Sequence, residues 1–407
     1  MEFSDEQRAL RATIVAMGDL LSKGHLDNDR ERRFPREKWD RLRETGIFGL
    51  PIQRRWGGLG LDLPTTMYVL EGLGYACRDA GLSFSASTHL VSAGIPVQRF
   101  GSAELRRRYL PGICDGSTIC GHAITEPGGG SDVMGMRTTA RPDGDHFVLD
   151  GSKTFVSNGP VAGLFVVYAH TGDRMGAEAA RTGGLAERPG EGAGGAAGGR
   201  AGRRNPASLT AFLVEAGTPG LALGSPLEKM GLRSSPLCEL FLDGCRVPRS
   251  HAVGAIGAGF LVLDHVMKWE ILCSFSVTVG EMAHRLERCV DYARSRTQFG
   301  SPIGSFQSVA NLVVEMKIGV ESSRRWLFDT AARLVSGQNV AVDLAIAKLV
   351  ASESNVRSAL AAVQIFGGYG YLTEYGIEKE LRNAVAGTIY SGTSEIQRQR
   401  IAALIGL

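Results

Sequence analysis

The sequence predicts a mostly helical protein with a β-domain in its middle, and three observations predict it. Apolar residues recur at helical spacing through the first 120 residues; short runs rich in Val, Phe, Leu and Thr follow Cys120; and from about Gly257 the helical spacing returns in much longer segments. The chain divides on this reading into an N-terminal helical domain, residues 1–120, a middle β-domain, residues 121–250, and a C-terminal helical bundle, residues 251–407.

The first element is "SDEQRALRATIVAMGDLL", whose apolar residues fall three and four apart, with Ser4 and Glu6 at a plausible helix start. "REKWDRLRETGIFGL", "TTMYVLEGLGYACRDAG" and "SAELRRRYLPGI" repeat the pattern between Gly and Pro punctuation. In the middle, "HFVLDGSKTFVSNG", "GLFVVYAH", "LTAFLVEAG" and "CELFLDGCRVP" are bounded by Gly, Asp, Asn and Pro, as strands and hairpins are. The C-terminal part holds "ILCSFSVTVG", which reads as buried helix, then "SVANLVVEMKIGVESSRRWLFDTAARLVSG" and "AVDLAIAKLVASESNVRSALAAVQIFGG", long enough to pack as a bundle. Residues 171–206 are dominated by Gly, Ala, Arg and Glu with almost nothing large and apolar, which predicts a flexible loop between two strands. It is a neutral insertion, or a basic arm (Arg200, Arg203, Arg204) that meets an acidic partner.

With 407 residues and 43% apolar content the chain can bury a large core. Its net charge of +3, from 45 basic and 42 acidic residues, provides no field for nucleic acid or a membrane surface. The apolar run from Ile271 is far shorter than the ~20 residues that span a bilayer, and the N-terminus does not read as a signal peptide. Seven scattered cysteines without a C-x-x-C pair favour free thiols in the cytoplasm, not a zinc site or a disulfide framework. H-E-x-x-H, G-x-S-x-G and Walker A are all missing, and "GGYGY" lacks the strand-then-helix setting of a dinucleotide fingerprint.

The specific signal is a series of segments in fixed order: "FPREKWDRLRETGIFGLPIQRRWGGLGLD", "AITEPGGGSDVMGMRTTA", "LDGSKTFVSNG", "KMGLRSSPLCELFLDGCRVP", "RSRTQFGSPIGSFQ", "QIFGGYGY" and "IYSGTSEIQ". Together they resemble the acyl-CoA dehydrogenase family over nearly the full length. The resemblance implies an N-terminal α-helical domain, a β-barrel or sandwich and a C-terminal four-helix bundle, with FAD as cofactor. It also implies site residues. Thr125 and Ser157 match positions that contact the isoalloxazine, and Phe155 stands where an aromatic ring, usually Trp, covers one face. Ser131, after glycines 128–130, matches a position facing the pyrophosphate, where glycines let backbone N–H groups approach. Arg296, Gln298 and Phe299 match contacts to the FAD of a neighbouring subunit, Gln364, Gly367 and Gly368 complete that pocket, and Thr393 and Glu395 lie beside the flavin. A shared cofactor implies a homo-oligomer, dimer or tetramer. Tyr390, Ser391 and Gly392 match the substrate pocket.

Desaturation of a thioester takes a proton from Cα and a hydride from Cβ, and the proton step needs a carboxylate. Many family members carry Glu where this chain has Ser391, and a serine without a partner base cannot take the proton. The family's other location lies ten residues before a characteristic glycine; counting back from Gly280 reaches Glu270. Glu270 begins the most apolar stretch of the chain, where an unpaired carboxylate marks a functional site. Otherwise it lies on a solvated face with Lys268 or pairs with an arginine; Asp264 and His265 read as structural. The function implied is dehydrogenation of an acyl thioester, carried on CoA or on an acyl carrier protein, with an electron-transfer flavoprotein as acceptor. A flavin monooxygenase on the same fold, needing no carboxylate base, is the alternative.

Overall fold

A computed structural model describes residues 2–172 and 205–407, so the insertion read at 171–206 falls almost wholly outside the described residues. Eight helices come first: α1 (Asp5–Val15), α2 (Gly18–Ser22), α3 (His25–Glu31), α4 (Arg36–Arg43), α5 (Leu63–Ala76), α6 (Ala80–His89), α7 (Ile95–Phe100) and α8 (Ala103–Cys114). Ser4 opens α1 with a reciprocal cap, its hydroxyl accepting from the Gln7 amide and its own amide donating to the Gln7 side chain at 2.8 Å. The partner is Gln7 rather than Glu6, because the third helical position is the one that reaches back to the cap.

Strands β1 (Cys120–Ala123), β2 (Thr139–Asp143), β3 (His146–Ser157), β4 (Leu164–His170), β5 (Leu209–Glu215), β6 (Leu221–Leu223), β7 (Leu237–Pro248) and β8 (Ala252–Val253) form one sheet. Its order is β6-β7-β3-β2-β4-β5-β8, and β1 joins it by parallel pairing with β4. Where β3 meets β7 the register slips between Lys153 and Val156. Phe155 sits in that slip at φ 56°, a left-handed conformation rare for a bulky residue, and its ring is turned outward, 63% exposed.

Helix returns with α9 (Gly259–Ser295), α10 (Gln307–Val335), α11 (Ala341–Phe366), α12 (Gly368–Tyr371), α13 (Ile377–Ala386) and α14 (Ser394–Leu404). From Ile271 to Gly280 every residue of α9 is buried. A helical stretch buried on every side must be enclosed, and this one is: Ile271, Leu272 and Phe275 share one core cluster with Leu70, Leu73 and Leu82 of the N-terminal helices and Leu344 and Ala347 of α11. Two glycines let α5 and α9 touch backbone to backbone. A Cβ built on Gly74 would stand 1.9 Å from the Val277 carbonyl oxygen, and one on Gly280 would stand 2.0 Å from that of Glu71. All seven cysteines are free and buried. No described helix is long and apolar enough to cross a membrane.

Beneath the "TEPGGGSD" loop lies a buried ion pair that the sequence reading did not single out. Lys153, fully buried on β3, donates to Glu126 at 2.9 Å, and the same carboxylate accepts from the backbone amides of Arg137 at 2.5 Å and Thr138 at 2.9 Å. Burial pushes the Glu126 carboxyl up, but the Lys153 charge and these donors outweigh it and hold it at about 2. A depressed carboxyl stabilises the fold fully above its unfolded value near 4.5 and loses that contribution as pH falls towards 2. Glu126→Gln leaves the Lys153 charge buried without a counterion, at an expected cost of about 3–5 kcal/mol. Denaturant unfolding at neutral pH should show this loss, and the gap from wild type should narrow as pH drops below 4.5; equal stability at pH 7 would refute the assignment.

Candidate active site

The centre of the site is the Glu270 carboxylate on α9, 22% exposed. It differs from the expectation of an unpaired, buried acid. The Ser391 hydroxyl donates to Oε1 at 2.5 Å, joining two residues 121 positions apart in the chain. Lys268 does not neutralise Glu270, since its ammonium is bound to Asp264 at 2.6 Å, one turn back on the same helix. Ser391 reaches α9 because its turn is tightly bent. Ser391 itself is left-handed (φ 54°), Gly392 follows at φ 87°, Gln397 donates to the Ser391 carbonyl at 3.0 Å, and Thr393 then caps α14. A non-glycine residue held left-handed costs free energy and clusters at functional sites.

Opposite the second oxygen stands His122 of β1. Its Nδ1 is 3.7 Å from Glu270 Oε2, and the Tyr168 hydroxyl lies at hydrogen-bond distance, 3.0 Å, from its Nε2. The parallel register pairs His122 with Val166, which puts Tyr168, two residues on, diagonal to it on the same face. Burial, then the Glu270 charge, hold the Tyr168 phenol far above its usual range, so it keeps its proton. The start of β1 is fixed by a second, buried histidine: the Cys120 amide donates to His89 Nδ1 at 3.1 Å, and His89 Nε2 therefore donates to the Ile113 carbonyl at 2.9 Å. Burial lowers His89 to about 4, which keeps it neutral for that work.

The wall beside Glu270 is aromatic. Tyr390 lies with its ring centre 5.1 Å from that of Phe84 on α6 and 5.3 Å from that of Phe275 on α9. Burial and the Glu281 carboxylate raise the Tyr390 phenol far above normal, so it acts here as a neutral apolar face.

The residues expected at FAD fall into two groups. On the sheet, the Thr154 amide donates to the Thr125 carbonyl at 2.8 Å, tying the Thr125 segment to the slip that turns Phe155 outward, with Ser157 two residues further on. At the C-terminal ends of α9 and α11, Arg296, Gln298, Gly367 and Gly368 line one cleft of about 530 Å³, where the Arg296 guanidinium lies 5.7 Å from the centre of the Tyr369 ring. A Cβ on Gly367 or Gly368 would meet nothing within 4 Å, so backbone and open space adjoin there. Gln364 is exposed one turn earlier, and Phe299 is 94% exposed at φ 51°. Ser131 and Glu395 are exposed, and Thr393 accepts from the Ile396 amide at 3.3 Å as the α14 cap. An outward aromatic on strained backbone and a guanidinium beside bare glycines suit a flat ring system and a pyrophosphate, so these residues fit FAD.

Sequence reasoning missed His122, Tyr168, Glu126 and Lys153. His122 lies three residues before Thr125 and alternates with buried neighbours, so its signal was position immediately before a recognised motif; Tyr168 is hidden in a wholly buried strand. Among the described residues, no group of three or more His, Cys, Asp or Glu could hold a metal ion.

Family models for the acyl-CoA dehydrogenase N-terminal, middle and C-terminal domains match residues 4–117, 121–187 and 257–406. The chain is 36% identical over 404 residues to the L-prolyl-(peptidyl-carrier protein) dehydrogenase of Pseudomonas fluorescens, covering 99% of both chains. Among solved structures it resembles the prolyl acyl carrier protein oxidase AnaB (TM-score 0.90, 38% identity, 100% of both chains). It also resembles PigA with FAD and proline (TM-score 0.90, 33% identity, 100% of this chain and 99% of that one).

Proposed function

This chain belongs to the acyl-CoA dehydrogenase family, and from that premise we propose that it oxidises a small acyl group, L-prolyl, held as a thioester on a carrier protein, with Glu270 as the base. It is an FAD-dependent dehydrogenase of acyl thioesters; the proposal concerns the carrier, the acyl group and the residues. The carrier and the acyl group are supported by the relatives above, similar over whole chains. One observation carries the residue assignment: the Ser391–Glu270 hydrogen bond brings a carboxylate to the place where the family signature otherwise carries its own.

Glu270 takes the Cα proton on Oε2, while the Ser391 hydroxyl holds Oε1 and so keeps the carboxylate aimed. Bound at the residues above, FAD would supply the two-electron acceptor for the hydride of the neighbouring carbon, and loss of that hydride with the Cα proton would leave an unsaturated thioester. Phe84 and Tyr390, backed by the buried Phe275 ring, offer a compact apolar wall suited to a five-membered ring. Arg296, Gln298 and Phe299 serve the cofactor of a second subunit in a dimer or tetramer; the near-total exposure of Phe299 supports this. An electron-transfer flavoprotein takes the electrons on. The monooxygenase alternative rested on a missing base, and with Glu270 bonded to Ser391 it loses that ground.

The test is anaerobic mixing of the FAD-loaded protein with L-prolyl and short acyl thioesters of CoA and of a carrier protein, following flavin absorbance. Bleaching by L-prolyl carrier protein and not by L-prolyl-CoA is the expected result. Bleaching by CoA thioesters alone would overturn the carrier assignment, and bleaching by reduced nicotinamide alone would restore the monooxygenase.

A further inference from the structure

We propose that His122 is a positioning residue for the base, held by Tyr168 in the tautomer that aims Nδ1–H at the free oxygen of Glu270, so that the carboxylate stays ionised and oriented for proton removal. The inference rests on the assignment of Glu270 as base and goes beyond it. Its grounds are geometric. The His122 side chain is 6% exposed, its Nδ1 is buried without a hydrogen-bond partner, and the nearest charged atom is Glu270 Oε2 at 3.7 Å. A buried polar atom without a partner is costly, and this one is pointed at a carboxylate.

The tautomer follows from what sits behind the ring. If neutral His122 carried its proton on Nε2, the Tyr168 hydroxyl proton would lose its acceptor and a bare Nδ1 lone pair would face the Glu270 charge. The Tyr168 hydroxyl lies 3.0 Å from Nε2, and in the arrangement proposed it donates there, so that Nδ1 carries the proton. A doubly protonated ring also presents Nδ1–H to the carboxylate. Either way a donor faces Oε2, while Ser391 occupies Oε1. The 3.7 Å gap exceeds the ~2.7–3.2 Å of an N–H···O bond, so the proposed bond requires the Glu270 side chain to turn towards the ring.

The other groups set towards Glu270 do not supply that donor. Tyr168 points its hydroxyl at His122, and Tyr390 on the Ser391 turn is a neutral phenol. On α9 itself Lys268 is held by Asp264. From the helices packed on α9, Glu71 of α5 is bound by Arg324 at 2.8 Å, and Lys348 of α11 lies over the Phe275 ring at 5.8 Å. Arg99 of α7 raises no contact with Glu270; its charge acts on His265, which burial and then Arg99 hold down at about 4.

Hydrogen bonding to the charged form of a carboxyl lowers its pKa, so removing the donor raises it. Because the base works ionised, the acid limb of the rate profile moves to higher pH. The experiment is stopped-flow flavin bleaching from pH 5 to 9, using whichever thioester bleaches the wild type in the panel above, on the FAD-loaded His122→Phe, His122→Asn and Tyr168→Phe proteins. His122→Phe should shift the acid limb up by about one pH unit, a roughly tenfold loss on that limb, with the alkaline plateau kept. His122→Asn keeps an N–H near the Nδ1 position and should restore the wild-type limb; Tyr168→Phe frees the tautomer and should give part of the shift. A rate lowered equally at all pH values with the limb unmoved would mean a packing role only and overturn the inference, as would a profile identical to wild type. If His122→Phe does not fold, an unmoved limb in Tyr168→Phe overturns it. Glu270→Gln run alongside separates the two readings: wild-type bleaching there removes the base assignment, whereas its loss with an unmoved limb in His122→Phe removes only the role of His122.

Discussion

Glu270→Gln slows flavin bleaching by the thioester about 10²- to 10⁴-fold, the contribution of a positioned general base, while FAD and substrate still bind. Gln is nearly isosteric and its amide still meets the Ser391 hydroxyl, so the corner of the site that holds Oε1 at 2.5 Å is preserved and only basicity is lost. Ser391→Ala costs little by comparison, because the carboxylate remains. Glu270→Gln combined with Ser391→Glu recovers part of the rate: the residue 391 side chain already touches the carboxylate of residue 270, so a carboxylate grown from either backbone reaches the same Cα. Single-turnover absorbance measurements decide the matter, and a Glu270→Gln protein that bleaches at the wild-type rate places the base elsewhere.

The same serine shows how much of the site was legible. Counting ten residues back from Gly280 led to Glu270 because a helix preserves spacing, but no spacing rule connects Glu270 to Ser391, 121 positions away. The helix–strand–helix order could be read because each type has its own period. The β3 and β7 runs and the two long C-terminal helices stand within a residue or two of where their apolar patterns lie. What could not be read depended on pairing between elements. β1 is four residues long and β2, "TARPD", is mostly polar, so neither carries a period, and both exist because neighbours hold them. His122 and Tyr168 meet only through the parallel register of β1 on β4, and Lys153 is a lysine where pattern reading expects apolar or exposed residues. Its partner Glu126 lies in a loop read for its glycines. Chemistry borrowed from sequence order was visible, and chemistry made by register was not.

Gly280→Ala should be among the most damaging small changes at the described glycines, and the reason links the fold to the proposed base. Glycine inside a helix costs about 1 kcal/mol relative to alanine, so two of them facing each other across α5 and α9 are kept for what a side chain would do there. A methyl on Gly280 would fall 2.0 Å from the Glu71 carbonyl oxygen and 2.5 Å from the Tyr75 amide nitrogen, backbone atoms that no rotamer change can move aside. The helices must separate, opening contacts such as Leu70, Leu73 and Leu272 in a core packed to crystal density. The expected loss is about 3 kcal/mol or more, read as a lower unfolding midpoint. Gly74→Ala presses on the same crossing from the other side, with its methyl 1.9 Å from the Val277 oxygen, so it should cost a similar amount. The double variant should cost clearly less than the sum, since one separation of the helices relieves both clashes. Glu270 rides on α9 ten residues before Gly280, so at temperatures where Gly280→Ala remains folded its flavin bleaching should also slow, through displacement of the proposed base. A Gly280→Ala protein as stable as wild type, or a double variant whose cost equals the sum of the singles, would show that the crossing is not set by backbone contact.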